Sequence, residues 1–200
     1  MVERQQSLLA GRGEPSRAVG SAQVRVAVLV GEQPATTHRS TVPQTMVLTW
    51  HADDGSRRVF SGQTALTLLV RPNDLDALGH VNNAVALEYL EAGRADWLVR
   101  RRMVPAEKII AVVARIEVDY RVEVRGGEIE VRTELVEPTD GDFDVAGDTF
   151  LARFRQQIHR PDVARPAVEA VVTIAFVDAR LRRAVTLQNY LDSINWSAVG

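Results

Sequence analysis

The 200-residue sequence contains no cysteine, and its only lysine is Lys108. The lack of thiols excludes disulfide bridges, thiolate nucleophiles and every metal site built on cysteine. Four histidines are present, but none stands in an HExxH or other close pair that would indicate zinc. A zinc enzyme is therefore disfavoured.

Long apolar runs and a strong charge of one sign are absent as well. The longest apolar stretches have the length of single strands, and the N-terminus lacks the hydrophobic segment of a signal peptide. A formal net charge of −2 does not fit a nucleic-acid-binding protein, which usually carries a basic face. These absences predict a cytoplasmic protein that neither spans a membrane nor binds nucleic acid.

The composition that remains is that of a globular chain. Hydrophobic residues make up 46% and charged residues 25%, enough for one domain with an appendage. Residues 1–20 lack periodicity and are predicted to be a disordered tail. Residues 21–62 alternate like strands, and Asp54-Gly55 is a hairpin signal. This β extension could add strands to the sheet edge, cap a substrate channel or mediate a tetramer.

Residues 63–200 show a helix among strands. The helix is predicted from Asn82 to about Arg102, and Gly93 inside it costs roughly 1 kcal/mol, so we expect a close contact with a strand there. Gly126-Gly127 is expected to turn the chain between the strands predicted at Ile109–Val124 and Glu128–Val136. Further strands and one short helix are predicted at Thr64–Arg71, Ile109–Val124, Glu128–Val136, Thr149–His159, Val168–Val177 and about Leu187–Ile194. An antiparallel sheet with a helix on one face belongs to the α+β class.

The segment from Asp74 to Arg94 carries the densest motif of the chain. It reads D-x-D-x-x-G-H-V-N-N followed by L-E-Y-x-E-x-x-R. It resembles the signature of hotdog-fold acyl thioesterases, which include 4-hydroxybenzoyl-CoA thioesterase-like, long-chain acyl-CoA and acyl-carrier-protein thioesterases. The resemblance covers about residues 63–194. It implies a hotdog fold, in which an antiparallel sheet wraps around one long central helix. It also implies a homodimer or a dimer of dimers with active sites at the interface.

The residues themselves fit this chemistry. Thioester hydrolysis needs a carboxylate or imidazole to attack the carbonyl or activate water, and a donor to stabilise the oxyanion. Asp76 stands four residues before His80 and directly ahead of the long helix. The first-turn amides of a helix are unpaired donors at the positive end of its dipole. One turn of chain thus supplies both the carboxylate and the oxyanion donor, and this chemistry needs no metal or bound cofactor.

The resemblance assigns roles to individual residues. It implies that Asp76 is the catalytic nucleophile or general base and that the backbone N–H of Asn83 polarises the carbonyl. His80 matches a histidine retained by acyl-carrier-protein thioesterases. Asn82 is expected to cap the helix and to shape the loop where substrate binds, and Asp74 is expected to be mainly structural.

Three positions depart from or vary within the family pattern. Leu78 replaces an asparagine of the carrier-protein enzymes, and Ala86 replaces the usual aromatic, which should reshape the substrate pocket. Glu123 stands where those enzymes have an acidic residue and CoA-specific relatives often have proline. It is either a solvated strand residue or a group that activates water. Arg100 and Arg101 either offset the helix dipole or contact the phosphates of coenzyme A or an acidic carrier protein.

The sequence therefore predicts an acyl-thioester hydrolase that releases a carboxylic acid from acyl-CoA or acyl-carrier protein, in fatty-acid or polyketide metabolism. A hotdog dehydratase or hydratase remains an alternative, although such enzymes usually have Asn-Pro where Leu78-Gly79 stands. A non-catalytic acyl-thioester-binding protein is a second alternative. A serine hydrolase is disfavoured because G-x-S-x-G is absent.

Overall fold

The computed structural model of the protein describes residues 24–28, 46–51, 57–103, 108–136, 148–194 and 196. The predicted tail over residues 1–20 and the Asp54-Gly55 turn lie outside these ranges. None of the helices in these ranges is long and apolar enough to cross a membrane.

The β extension forms a three-stranded antiparallel sheet of its own. Its strands, in the order β1-β2-β3, are β1 (Val24–Val28), β2 (Met46–His51) and β3 (Arg57–Phe60). The predicted strands are confirmed, but the described part of the extension does not add strands to the edge of the larger sheet. The end of β3 packs on the C-terminal segment, where the rings of Phe60 and Trp196 stack with their centroids 5.7 Å apart.

The main domain consists of a six-stranded antiparallel sheet and one long helix. The helix α1 (Asn83–Arg100) packs mainly on three of the strands, which confirms the α+β class. The sheet order is β4-β6-β7-β8-β5, with β9 beside β8, and a short helix α2 follows. The bounds are β4 (Thr64–Val70), β5 (Ile109–Tyr120), β6 (Gly127–Val136), β7 (Leu151–His159), β8 (Val168–Asp178), β9 (Arg183–Val185) and α2 (Leu187–Ser193).

The core lies between α1 and the inner face of the sheet. Side chains buried on α1 recur at intervals of three or four residues, the spacing of one helix face. Alternate residues of β7 are buried, as in a strand with one covered face. Trp97 of α1 meets Phe154 of β7 edge to face, with centroids 5.1 Å apart.

Gly93 is the point where α1 comes closest to the sheet. A Cβ atom at this position would lie 2.6 Å from Cγ1 of Val131 and 2.8 Å from Oγ1 of Thr133. Real Cβ atoms do not approach other heavy atoms so closely, so only glycine fits without a shift of β6. The predicted close contact between Gly93 and a strand is confirmed.

The connection from β5 to β6 is a correction to the sequence prediction. The two strands are not neighbours, since β5 lies at one edge beside β8 and β6 lies between β4 and β7. The strand ends at Tyr120 instead of Val124, because the N–H groups of Arg121 and Val122 both donate to the carbonyl of Ala167. The carbonyl of Val124 accepts from Val81 N–H at 2.7 Å, so this segment contacts the loop ahead of α1. The short strand β9 was not predicted.

Candidate active site

A cleft of about 280 Å³ opens at the N-terminal end of α1. Its walls come from the loop before α1, the first turn of α1, the end of β5 with the segment that follows it, and the start of β8. Five residues singled out in the sequence line this one cleft, namely Asp76, His80, Asn83, Ala86 and Glu123. The fold therefore brings a carboxylate, an imidazole and a helix N-terminus together.

A tight turn presents Asp76 to the cleft. Leu75 and Val81 form an antiparallel bridge, and the N–H of Asp76 donates to the carbonyl of His80 at 2.7 Å. Gly79 lies at the bend with a φ of +75°, a backbone conformation that residues other than glycine rarely adopt. The G-H pair of the motif thus allows the chain to double back just before α1 begins.

The carboxylate of Asp76 is held at one oxygen. Its Oδ1 accepts the backbone N–H groups of Leu78 at 2.8 Å and His80 at 3.1 Å. The hydrogen bond from His80 N–H is the largest cause that lowers the pKa of Asp76 below its ordinary value. Asp76 is therefore ionised at neutral pH, and its Oδ2 accepts no hydrogen bond from any residue in the described ranges.

The first turn of α1 leaves the backbone N–H of Asn83 without an acceptor in the described ranges. Asn82 caps the helix, because its Oδ1 accepts the N–H of Ala84 at 2.9 Å, as predicted. Asn82 N–H donates to the carbonyl of Asp74 at 2.9 Å. Among the residues that the structure describes, Asn83 N–H is therefore an unpaired donor at the positive end of the helix dipole, in the lining of the cleft.

His80 pairs with Glu123 across the cleft. The imidazole Nε2 lies 3.1 Å from Oε2 of Glu123, whose same oxygen accepts from Arg125 at 3.0 Å. The hydrogen bond from Arg125 is the largest cause that lowers the pKa of Glu123, and the nearby His80 adds to the effect. The Nη1 of Arg160 donates to the carbonyl of Glu123 at 2.6 Å and holds this segment from the other side.

Asp74 is buried and links the loop that carries Asp76 to α1. Its carboxylate accepts the backbone N–H and the guanidinium of Arg71 and, at 2.5 Å, the hydroxyl of Tyr89. The Arg71 guanidinium, followed by the Tyr89 hydroxyl, lowers the pKa of Asp74 to about 2. Neither Asp74 nor any of these donors lines the cleft, which agrees with the mainly structural role that the sequence predicted for Asp74.

Tyr89→Phe is expected to lower Tm by about 3–10 °C at pH 7, because a hydrogen bond to a charged acceptor is lost. The pKa of Asp74 is lower in the folded state, so this contribution is present above about pH 4 and disappears as the pH falls toward 2. Thermal melts of both proteins between pH 2 and 7 test this. A Tm difference that stays constant over that range would contradict the assigned role of Asp74.

Comparison with known proteins shows the family of this chain. The sequence profile of the thioesterase-like superfamily matches residues 70–193, more than half of the chain. The chain belongs to this superfamily. It is 26% identical over 125 residues to the long-chain acyl-CoA thioesterase FadM of Escherichia coli strain K12, a match that covers 61% of this chain and 89% of FadM. Thioester hydrolysis is thus the reaction class of its family.

Solved structures show the same architecture. A 1,4-dihydroxy-2-naphthoyl-CoA thioesterase from Synechocystis superimposes with a TM-score of 0.54 at 13% identity, covering 66% of this chain and 96% of that one. A DHNA-CoA thioesterase from Staphylococcus aureus does so with a TM-score of 0.53 at 12% identity, covering 64% and 83%. Together with the superfamily match, these likenesses confirm the predicted hotdog fold.

Four of the residues predicted to bind substrate do not line the cleft, namely Leu78, Asn82, Arg100 and Arg101. Asn82 caps α1 instead. The side chain of Leu78 is 78% exposed at the tip of the turn, where only its backbone serves Asp76. Arg100 pairs with Asp96 at 2.7 Å, and the guanidinium of Arg101 covers the Trp97 ring at 3.9 Å. Both arginines end α1, about 27 Å from its start at 1.5 Å per residue, so helix length separates them from the cleft.

The cleft also contains residues that the sequence analysis did not select. Tyr120 is the last residue of β5, Arg121 follows it, and Val168 begins β8. No motif marks them, because their place beside α1 depends on the pairing of β5 with β8 at the sheet edge. Within the described ranges, no group of three histidine, aspartate or glutamate residues is close enough to hold a metal ion.

Proposed function

We propose that this member of the thioesterase-like superfamily hydrolyses acyl-CoA thioesters at the cleft, with Asp76 as the catalytic carboxylate. The observation that supports this most directly is the presence of the ionised Asp76 and the free Asn83 N–H in one cleft. The likeness to FadM, a long-chain acyl-CoA thioesterase, supports coenzyme A as the carrier of the acyl group.

In the proposed reaction the thioester carbonyl accepts a hydrogen bond from Asn83 N–H at the positive end of α1. The donor stabilises the oxyanion that forms as the carbonyl carbon becomes tetrahedral. Asp76 Oδ2 attacks that carbon while Oδ1 stays on its two backbone donors. The C–S bond then breaks, the coenzyme A thiolate leaves, and water hydrolyses the acyl-aspartate anhydride to the free acid and Asp76.

The electrostatics of Asp76 favour this nucleophilic route over general base catalysis. A general base works best when its pKa lies near the working pH. The pKa of Asp76 is lowered, so the carboxylate is a weak base at neutral pH but is fully ionised for attack. The acidic limb of the pH–rate profile attributable to Asp76 should accordingly lie below the ordinary pKa of an aspartate.

His80 and Glu123 are proposed to act together in the proton-transfer steps of the reaction. Their pairing at 3.1 Å orients the imidazole at the cleft, where it can activate the hydrolytic water or protonate the leaving thiolate. His80→Gln and Glu123→Gln should each lower kcat by about 10–100-fold. If the two act as a unit, the double variant loses no more than the worse single variant. A double variant whose loss in kcat equals the product of the two single losses would contradict a joint role for His80 and Glu123.

The function is tested by thiol release, followed with a chromogenic disulfide, on short, medium, long and aromatic acyl-CoAs and on acyl-carrier proteins. Turnover of acyl-CoA is the expected result. Turnover of acyl-carrier-protein thioesters alone would show that the acyl group is carried by a carrier protein. Glu123 would agree with that result, because the resemblance places an acidic residue of the carrier-protein enzymes at this position. If neither is hydrolysed but 3-hydroxyacyl or enoyl thioesters interconvert, the dehydratase or hydratase alternative replaces the hydrolase.

A homodimer through β5 is part of the proposal. This edge strand pairs with β8 on one side and, within the described ranges, with no strand on the other. Ile110 and Val113 are exposed along it, and an unpaired strand edge with apolar side chains favours pairing with a second copy. Light scattering on the purified protein distinguishes a monomer, a dimer and a dimer of dimers.

A further inference from the structure

Tyr120 makes a hydrogen bond that connects the sheet to the reacting end of α1. Its hydroxyl donates to the backbone carbonyl of Asn83 at 3.1 Å, between residues 37 positions apart in the chain. Tyr120 is the last residue of β5 and Asn83 the first of α1. Both line the cleft, and Tyr120 as a whole residue is 44% exposed.

The position of Asn83 matters because the first turn of a helix is its least constrained part. Its leading N–H groups have no intrahelical acceptors, and helix ends fray. An oxyanion donor must nevertheless stay within a few tenths of an ångström of its working position. Asn82 restrains the turn from the loop side through its bond to Ala84, and Tyr120 restrains it from the sheet side.

A proton-donating role for Tyr120 is disfavoured. Burial raises the pKa of its hydroxyl above the ordinary value. A thiol has an ordinary pKa of about 8.5, so transfer of the phenol proton to the leaving thiolate would be energetically uphill. The hydroxyl is also already engaged with the Asn83 carbonyl. The contribution of Tyr120 is therefore geometric.

We propose that Tyr120 is a positioning residue, which holds the first residue of α1 so that Asn83 N–H and the Asp76 carboxylate meet the same thioester carbonyl. The inference rests on the proposed function. It goes beyond that function because it gives the end of β5 a part in catalysis, and β5 is the strand at which a second copy would pair.

Tyr120→Phe removes only the hydroxyl and tests the proposal. We expect kcat to fall by about 3–10-fold, the effect of one neutral hydrogen bond, while KM changes by less than about twofold. The loss should be the same for every acyl-CoA that is a substrate. Tyr120→Leu also removes the ring from the cleft wall, so it should raise KM and alter the preference among acyl chains.

Tyr190→Phe is the matched control. The Tyr190 hydroxyl is buried on α2 without a hydrogen-bond partner among the described residues, so the same substitution there should leave kcat and KM unchanged. A Tyr120→Phe variant with unchanged kcat, or with a change in KM alone, would overturn the positioning role.

Amide hydrogen exchange separates this inference from the hydrolase proposal. The N–H of Ala86 in the first turn donates to the carbonyl of Asn82 at 3.0 Å and reports opening of that turn. Its exchange should be about 3–10-fold faster in Tyr120→Phe and unchanged in Tyr190→Phe. Unchanged exchange in Tyr120→Phe would overturn the inference even if no thioester is hydrolysed. Faster exchange in a protein without turnover would contradict the hydrolase proposal alone.

Discussion

Asp76→Asn is expected to lower kcat/KM for thioester hydrolysis by about 10²–10⁴-fold with little change in Tm. Asparagine keeps the shape of the side chain and an oxygen that can accept the N–H groups of Leu78 and His80. It has no negative charge, so it can neither attack the carbonyl nor accept a proton from water. Thiol release and thermal melts of the two proteins measure both effects.

The chain contains a matched control for this substitution. Asp178, at the end of β8, accepts two backbone N–H groups at Oδ1, from Arg180 at 3.0 Å and Leu181 at 2.7 Å. It holds a turn as Asp76 does but does not line the cleft. Asp178→Asn should therefore retain full turnover. Hydrolysis by Asp76→Asn within about threefold of the parent rate would refute the role assigned to Asp76.

Gly93→Val is expected to destabilise the fold by more than about 3 kcal/mol. The new Cβ would overlap Val131 and Thr133 on β6, and the added methyl groups would press on the Gln156 amide, whose Nε2 lies 3.2 Å from the Cβ position. The gain in helix propensity over glycine is at most about 1 kcal/mol, so the clash dominates. Urea denaturation followed by circular dichroism gives the free energy of unfolding.

Gly126→Val is the control for the Gly93 substitution. A Cβ at Gly126 would meet no heavy atom within 4 Å, so the same side chain should change the free energy of unfolding by less than about 1 kcal/mol. If Gly93→Val were as stable as the parent, α1 would have to sit farther from β6 than the structure shows.

The two aspartates of the motif illustrate how environment divides roles between identical side chains. Asp74 is buried, and Arg71 and Tyr89 occupy its carboxylate. Asp76 is exposed to the cleft, and only backbone N–H groups hold it, all at one oxygen. Both pKa values are lowered, but only Asp76 keeps an oxygen that a substrate can reach.

Much of the fold and part of the site could be predicted because they depend on local chemistry. Hydrophobic periodicity indicated α1 and the long strands, since burial of one face imposes a repeat of 3.6 or 2 residues. Asn82 as a helix cap, Gly93 as a close contact and Asp76 ahead of a helix start each depend on short-range geometry. The motif around them indicated the family that the profile match confirmed.

The remaining features depend on residues far apart in the chain. The sequence alone determined that this protein has one long helix, an antiparallel sheet and an aspartate placed beside a helix N-terminus. Only the tertiary structure decided that β5 pairs with β8 and is not a neighbour of β6 in the sheet. Strand order depends on long-range pairing that no local pattern encodes. That pairing brings Tyr120 and Glu123 to Asn83 and His80, and the length of α1 carries Arg100 and Arg101 away from them.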